Sequence, residues 1–379
     1  MKRFFVLLLL IALLSAGCSV RVPNVSEPPI FDVGHVSEDT ETLAEPTDLG
    51  VPYASRYASY PLALTPSDLI VYEGCLYVAN GDWTGNAGPI DMLCYDTVQN
   101  EWKHSGTLPD EEIAVFFVIE DTLVTPGIDP RDGWEWGNLY VLQNGEWQTK
   151  RTIPCGIHCF DLAYHGGKLF AAVTANGNGL QAAVSDDMGE TFALVPLVKN
   201  EKPVTDTEHY FDLFVIGDEV YAYSAPDLYR YDGTRFVFET TWKDKVKTNY
   251  CNTPQKVRMF RAEAIVGGTL FLATGSLYAC TDAENVRQIQ TPRGERVYDL
   301  YLYGGKLYLL CDLKTDTGYT VTVYRFFPDT ETFVQETAFV CEIPAVSLAV
   351  DGKSYYFGMA SNNMKNKNHG RILKIEKTL

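Results

Sequence analysis

Four aspartates occupy the same position in a sequence pattern that recurs along the chain. Each lies six residues before the turn residue of its copy, and they are Asp68, Asp161, Asp212 and Asp299. Glu263 falls one step further along in another copy, with Arg261 nearby as a compensating charge. Carboxylates gathered together favour a bound cation, so these residues are candidate ligands for Ca²⁺, Mg²⁺ or a cationic ligand. Alternatively, each aspartate accepts hydrogen bonds from backbone amides at the start of its strand.

Three tryptophans lie in two loops where strand periodicity does not require burial. Trp83 belongs to the segment GDWTGNAGP (81–89), and Trp134 and Trp136 belong to PGIDPRDGWEWGN (126–138). Indole rings among Asp, Asn and Gly suit stacking on sugar rings, and they also suit recognition of a protein or peptide. Trp136 could instead pack under its own loop. The three side chains are candidate ligand-binding residues.

Short hairpins are the elements that would position these side chains. An apolar strand, a turn and a second strand recur, with turn residues spaced 37 to 51 residues apart at Gly74, Asp121, Gly167, Asp218, Gly268, Gly305 and Gly352. A third and a fourth strand follow in each copy. This pattern predicts an all-β fold, a seven-bladed β-propeller of four-stranded antiparallel blades, with the aspartates and tryptophans around the mouth of its central channel. A parallel solenoid is the alternative.

The seventh copy lacks a fourth strand after its third. The segment Tyr57–Leu64 alternates bulky and small residues and is predicted to supply that strand from the N-terminal side. Such a strand would close the ring and cover the edge that a repeat array otherwise exposes.

One turn carries a named motif. Ser185, Asp187, Gly189, Thr191 and Phe192 spell S-x-D-x-G-x-T-F, which resembles the Asp-box (BNR) repeat of sialidase-like propellers. The resemblance implies a structural turn between the third and fourth strands of a blade, where the repeat independently places it. Sialidase activity is not implied, because the arginine segment of that family is not found near Arg56 and sialidases have six blades.

The N-terminus resembles that of a bacterial lipoprotein. Residues 1–17 combine Lys2 and Arg3 with a short apolar run and small residues before Cys18, which is the predicted lipidation site. Residues 18–52 are acidic and rich in proline, and are predicted to form a disordered tether to the propeller domain at 53–379. The expected location is the extracytoplasmic face of the bacterial cell membrane, with the lipid as the only anchor. An ordinary cleaved signal peptide is the alternative.

The charge and the candidate residues together limit the function. With 31 basic and 49 acidic residues, the formal net charge of -18 argues against nucleic acid as a partner. The sequence favours a monomer that binds carbohydrate or an envelope protein, with Ca²⁺ at the channel mouth as one candidate cofactor. A glycoside hydrolase or lyase that uses the channel carboxylates is the first alternative, although an enzyme is not favoured and no catalytic residue is assigned. A protein assembly scaffold is the second.

Overall fold

The computed structural model describes residues 43–175, 179–205, 212–247, 260 and 262–378. In these residues the chain is built from strands and two short 3₁₀ helices, at Pro61–Leu64 and Trp83–Gly85. The strands of the first part are β1 (Thr47–Asp48), β2 (Leu69–Tyr72), β3 (Cys75–Val78), β4 (Ile90–Asp96), β5 (Glu101–Leu108), β6 (Asp110–Glu112), β7 (Phe117–Ile119), β8 (Thr122–Pro126), β9 (Ile128–Pro130), β10 (Trp136–Gln143) and β11 (Glu146–Pro154).

The remaining strands continue the alternation of strand and tight turn. Those of the middle part are β12 (Gly156–His165), β13 (Lys168–Ala175), β14 (Gly179–Ser185), β15 (Ala193–Lys199), β16 (Lys202–Pro203), β17 (Asp212–Ile216), β18 (Glu219–Ser224), β19 (Asp227–Tyr231) and β20 (Phe236–Thr241). Those of the last part are β21 (Ala262–Val266), β22 (Thr269–Ala273), β23 (Leu277–Cys280), β24 (Val286–Ile289), β25 (Arg296–Tyr303), β26 (Lys306–Lys314), β27 (Tyr319–Phe327), β28 (Thr332–Cys341), β29 (Ala345–Val350), β30 (Ser354–Met359) and β31 (Ile372–Glu376).

Five separate antiparallel sheets have four strands each. Their strand orders are β2-β3-β4-β5, β7-β8-β10-β11, β21-β22-β23-β24, β25-β26-β27-β28 and β29-β30-β31-β1. The four-stranded antiparallel unit is therefore confirmed. The prediction of seven separate blades is wrong, because the structure has five separate four-stranded sheets.

A single eleven-stranded sheet replaces the other expected blades. Its order is β17-β18-β19-β20-β15-β14-β13-β12-β9-β6, with β16 paired to β15. Parallel pairing of β15 with β20, through Leu197 opposite Phe236 and Val198 opposite Val237, joins two antiparallel runs into one sheet. The repeat pattern describes strands within a copy, so it could not predict this pairing between copies.

The predicted hairpins are present in every copy. The first and second strands pair as β2 with β3, β7 with β8, β12 with β13, β17 with β18, β21 with β22, β25 with β26 and β29 with β30. The turns need a left-handed backbone, with φ of +78° at Gly74 and +60° at Asp121. Glycine and aspartate reach this region at little cost, which is why they recur there.

The N-terminal segment closes the last sheet, but with different residues from those predicted. Thr47 and Asp48 of β1 pair with Lys374 and Leu373 of β31. The predicted strand Tyr57–Leu64 was wrong: residues 61–64 form a 3₁₀ helix. Tyr53 and Tyr57 are buried four residues apart in a turn, which is the spacing of a helical turn rather than of a strand.

The predicted tether also needs correction at its C-terminal end. Residues 43–52 contain β1, so this part of the 18–52 segment belongs to the sheet structure. The signal segment, Cys18 and the rest of the tether lie outside the described residues. Within the described ranges, no helix has the length and apolar character needed to cross a bilayer.

Candidate functional site

Asp68, Asp161, Asp212 and Asp299 each accept a hydrogen bond from a backbone amide in the next copy of the repeat. The donor–acceptor distances are 2.8 Å from Phe116 N to Asp68 Oδ2, 2.9 Å from Leu213 N to Asp161 Oδ2, 3.0 Å from Phe260 N to Asp212 Oδ2, and 2.7 Å from Leu348 N to Asp299 Oδ2. Each donor lies 48 to 52 residues after its acceptor. These carboxylates therefore link the first strands of successive copies.

This geometry favours the structural interpretation of the aspartates. Asp161 and Asp212 are 0% exposed, and Asp299 is also buried. Glu263 lies in β21 opposite Leu272, and Arg261 lies outside the described residues. In the part of the chain that is described, no group of three or more His, Cys, Asp or Glu side chains is placed to hold a metal ion. The candidate Ca²⁺ therefore has no ligand cluster among these residues.

The three tryptophans have different environments. Trp83 is half-buried, and its ring centroid lies 4.7 Å from that of His158. It also packs against a small apolar cluster that contains Phe160. Trp134 and Trp136 are exposed, at 51% and 45%. Of the three, Trp134 lines a polar pocket.

That pocket has a volume of about 590 Å³ and lies between the β3–β4 loop of the first four-stranded sheet and the paired strands β6 and β9 of the eleven-stranded sheet. It is formed by the β3–β4 loop, by β6 and by the segment between β8 and β10. The lining residues are mostly polar or charged, namely Asn86, Glu111, Asp129, Pro130, Arg131, Gly133, Trp134 and Glu135. Because small-molecule pockets are usually lined by apolar side chains with a few polar groups, this mostly polar lining with one indole suits a polar ligand.

The Trp134 ring is held in place by a neighbouring carboxylate. Its Nε1 donates a hydrogen bond of 2.9 Å to Asp129 Oδ1. Asp129 has a φ of +62°, a conformation uncommon for a residue with a side chain. Burial raises the pKa of Asp129 and the negative charge of Glu111 raises it further, whereas the hydrogen bond from Trp134 opposes this rise. The indole is thus both exposed and oriented.

Glu111 and Arg131 join the two loops across the pocket. Arg131 Nη1 donates to Glu111 Oε1 at 2.7 Å and to the Gly88 carbonyl at 3.0 Å. The Gly88 amide donates to Glu111 Oε2. A Cβ at Gly88 would lie 2.2 Å from the Asp110 carbonyl oxygen, so only glycine allows this approach. Asp82 fixes the first loop by accepting the Gly85 amide at 3.0 Å.

Two buried acids flank Glu111 in β6. Burial raises the pKa of Asp110 to about 7, although hydrogen bonds from Asn138 and Tyr140 oppose the rise. Burial also raises the pKa of Glu112 well above its ordinary value, and the Trp83 amide donates to Glu112 Oε2 at 3.3 Å. β6 therefore places the carboxylate of Glu111 in the pocket lining and keeps those of Asp110 and Glu112 away from water.

Comparison with known proteins supports a fold but not a family. No family model and no curated protein matches this chain. Among solved structures, a chain in the crystal structure of a mitotic checkpoint complex aligns with a TM-score of 0.51 at 9% identity, covering 91% of this chain and 98% of that one. The chain is a β-propeller.

Two other solved structures align at lower scores. The first is described as the extracellular domain of a one component system from B. thetaiotaomicron, with a TM-score of 0.49 and 13% identity, covering 82% of this chain and 38% of that one. Sqt1 of Saccharomyces cerevisiae aligns with a TM-score of 0.47 and 12% identity, covering 83% of this chain and 96% of that one.

The S-x-D-x-G-x-T-F turn of the propeller lies between β14 and β15, as the repeat predicts. Ser185 Oγ accepts the Gly189 amide at 2.8 Å, and Asp187 Oδ1 accepts the Thr191 amide at 2.8 Å. Hydrogen bonds from the Thr191 hydroxyl and amide lower the pKa of Asp187 to about 2. Phe192 is buried beneath the hairpin. The S-x-D-x-G-x-T-F turn therefore has a structural role in the propeller.

Most of the pocket was missed by sequence reasoning. Glu111, Asp129, Arg131 and Glu135 were not predicted as site residues, although Trp134 between them was. The available signal was the acidic run DEE at 110–112 and the charged residues beside the tryptophans in PRDGWEW. Neither signal shows that β6 pairs with β9. In the structure Asp110 pairs with Pro130 and Glu112 with Ile128, and this pairing brings the two segments together.

Proposed function

We propose that this propeller is a monomeric lipoprotein at the extracytoplasmic face of a bacterial cell membrane, and that it binds carbohydrate or other cell-envelope material. The anchor rests on the sequence, in which an apolar segment of signal-peptide type ends at Cys18. The acidic residues after Cys18 would hold the propeller away from an anionic membrane surface. The lipid would be the only attachment.

The observation that carries the binding proposal is the oriented, exposed ring of Trp134 in a polar pocket. An indole face stacks on the apolar face of a sugar ring, while carboxylate, guanidinium and amide groups bind its hydroxyls. Glu111, Arg131 and Asn86 supply such groups on the same lining. The ion pair between Glu111 and Arg131 holds the two loops together, so little ordering would be needed on binding.

We further infer that the ring has seven structural units. The antiparallel runs β12–β15 and β17–β20 each begin with the repeated hairpin and each contain four strands. Both would act as blades that share an outer-edge pairing. The binding proposal does not depend on this number, since it rests on the local arrangement of the β3–β4 loop, β6 and the segment between β8 and β10.

The experiment is a screen of the full chain against a glycan array and peptidoglycan fragments, followed by calorimetry on the hits. Trp134→Ala should weaken binding by about 2 kcal/mol, or roughly 30-fold in Kd, as expected for a central aromatic contact. The matched control is Phe327→Ala, because Phe327 is 40% exposed and ends β27 in a different sheet.

Both variants should unfold at the temperature of the unsubstituted protein, because neither side chain is buried. The proposal fails if no glycan or envelope fragment binds. It also fails if Trp134→Ala binds as tightly as Phe327→Ala does.

A further inference from the structure

We propose that the ligand of this pocket carries a protonated amine, and that the carbohydrate it takes is an amino sugar with free amino groups. The inference rests on the proposed function, because it names the ligand class of the same site. The charges of the lining residues, the orientation of Trp134 and the partners of Arg131 support it independently of one another.

The lining has more negative than positive charge. It contains three carboxylates, those of Glu111, Asp129 and Glu135, and one guanidinium, that of Arg131. Arg131 is occupied by Glu111 at 2.7 Å. Among the described residues, neither Asp129 nor Glu135 has a lysine or arginine nitrogen within 4.0 Å. Asp129 and Glu135 are therefore the carboxylates with which a ligand cation could pair. Glu135 shares its surroundings with Arg151, since a Cβ at Gly133 would lie 2.7 Å from Glu135 Oε2 and 3.6 Å from Arg151 Nη2.

Arg151 supplies a second guanidinium beside the pocket, and its Nη2 is hydrogen-bonded to the backbone. Arg151 Nη2 donates to the carbonyls of Asp132 at 3.1 Å and Gly133 at 3.0 Å. It thereby supports the loop that carries Trp134, and its hydrogen bonds are made to backbone oxygens. A cation entering the pocket would thus meet Asp129 and Glu135 without displacing an internal ion pair.

The carboxylates already repel one another in the empty pocket. The charge of Glu111 contributes to the raised pKa of Asp129, together with burial. A ligand ammonium group would relieve this repulsion, whereas a neutral hydroxyl would not. The exposed face of Trp134 would add an attraction between the cation and the ring. An amino sugar offers both the ring for stacking and the charge.

The test compares two glycans that differ in whether the amine is free and charged or acetylated and neutral. Oligosaccharides of β-1,4-linked glucosamine and of N-acetylglucosamine, matched in length, are titrated into the full chain at about pH 6, where free amines are protonated. The free amine form should bind at least about tenfold more tightly. The preference should weaken as salt is added.

Two conservative variants assign that preference to the pocket. Asp129→Asn keeps an oxygen that can accept from Trp134 Nε1, and Glu135→Gln leaves that hydrogen bond untouched. Each should reduce the preference for the amine, measured as the ratio of the dissociation constants of the two glycans. Asp316→Asn, an exposed position in the β26–β27 loop, is the control and should change neither value.

The outcomes separate this inference from the proposed function. Equal binding of the two glycans overturns the inference and leaves carbohydrate binding intact. An amine preference that survives both pocket variants also overturns it, because the overall charge of the protein would then explain the preference. Binding of neither glycan, with no hit in the wider screen, overturns both proposals.

Discussion

Asp110 is a carboxyl group that the folded protein keeps away from water. It is fully buried, and its Oδ2 accepts hydrogen bonds from Asn138 Nδ2 at 2.7 Å and from the Tyr140 hydroxyl. In the described part of the chain its Oδ1 has no hydrogen-bond partner. The nearby charge of Asp129 raises its pKa and that of Arg151 lowers it, but burial dominates and the pKa is about 7. This residue therefore makes stability depend on pH.

The sign of the dependence follows from the raised pKa. Between about pH 4 and pH 7 the folded protein holds a proton that the unfolded chain releases, so this group's contribution to stability falls as pH rises through that window. Asp110→Asn has the same shape and no charge. It should therefore unfold at a temperature about 2–4 °C higher than the unsubstituted protein at pH 8, with the difference vanishing near pH 4.

Thermal unfolding followed by circular dichroism from pH 4 to pH 8 measures this difference. Asp316→Asn, at an exposed position, should show none. If Asp110→Asn lowered the unfolding temperature at pH 8, hydrogen bonds to the Asp110 carboxylate would outweigh the cost of burying its charge, which would contradict the raised pKa.

At the scale of strands and turns, aspartates do two repeated structural tasks. One set links the first strands of successive copies. Another set caps the turns between third and fourth strands: Asp96 accepts the Val98 and Gln99 amides, and Asp232 accepts the Thr234 and Arg235 amides. Asp187 caps its turn in a related way. The sequence motif identified only the turn at Asp187. The turns at Asp96 and Asp232 have the aspartate but lack the other residues of S-x-D-x-G-x-T-F.

Asp299→Ala should show that the linking carboxylates stabilise the ring. Asp299 accepts the Leu300 amide at 2.9 Å and the Leu348 amide at 2.7 Å. Removing both acceptors leaves buried amides without partners, which should lower the free energy of unfolding by about 2–4 kcal/mol. Urea denaturation measures the change, with Asp316→Ala expected to stay within about 0.5 kcal/mol. Loss of glycan binding with unchanged stability would instead support the ligand interpretation.

The strands that position the pocket show what local sequence could and could not predict. Hairpins were predictable because their turns need glycine or aspartate at fixed offsets from apolar strands. β6 and β9 were not, since each has three residues and their pairing depends on a partner about 18 residues away rather than on a local pattern. Trp134 was found by its residue type, whereas Glu111 became a site residue only through that pairing.

At the scale of the whole molecule, residues 47–50 pair with the last sheet of the described chain. The Leu49 amide donates to the Ile372 carbonyl and the Ile372 amide donates to the Gly50 carbonyl, both at 2.9 Å. Ser347 Oγ donates to the Pro66 carbonyl at 2.7 Å, which links the last sheet to the first. The sequence predicted a closing strand but placed it at Tyr57–Leu64, because alternation of large and small residues does not distinguish a strand from a tyrosine-rich turn.

This closure also reaches the first sheet, whose β3–β4 loop lines the pocket. Trp102 of β5 donates from Nε1 to the Leu49 carbonyl at 2.9 Å, so the closing segment also contacts the first sheet. The loops that bear ligand-binding groups thus extend from a closed scaffold, which is a common arrangement for recognition sites. The proposed function needs only the local geometry of these loops.

Hydrogen–deuterium exchange of the full chain, with and without the matched glucosamine and N-acetylglucosamine oligosaccharides, tests most directly whether this pocket is the binding site. We predict slower amide exchange on ligand addition in residues 81–89 and 126–138, and unchanged exchange in the β27–β28 turn that serves as the internal reference. Protection confined to other segments, with these two loops unchanged at saturating ligand, would contradict the assignment of the site.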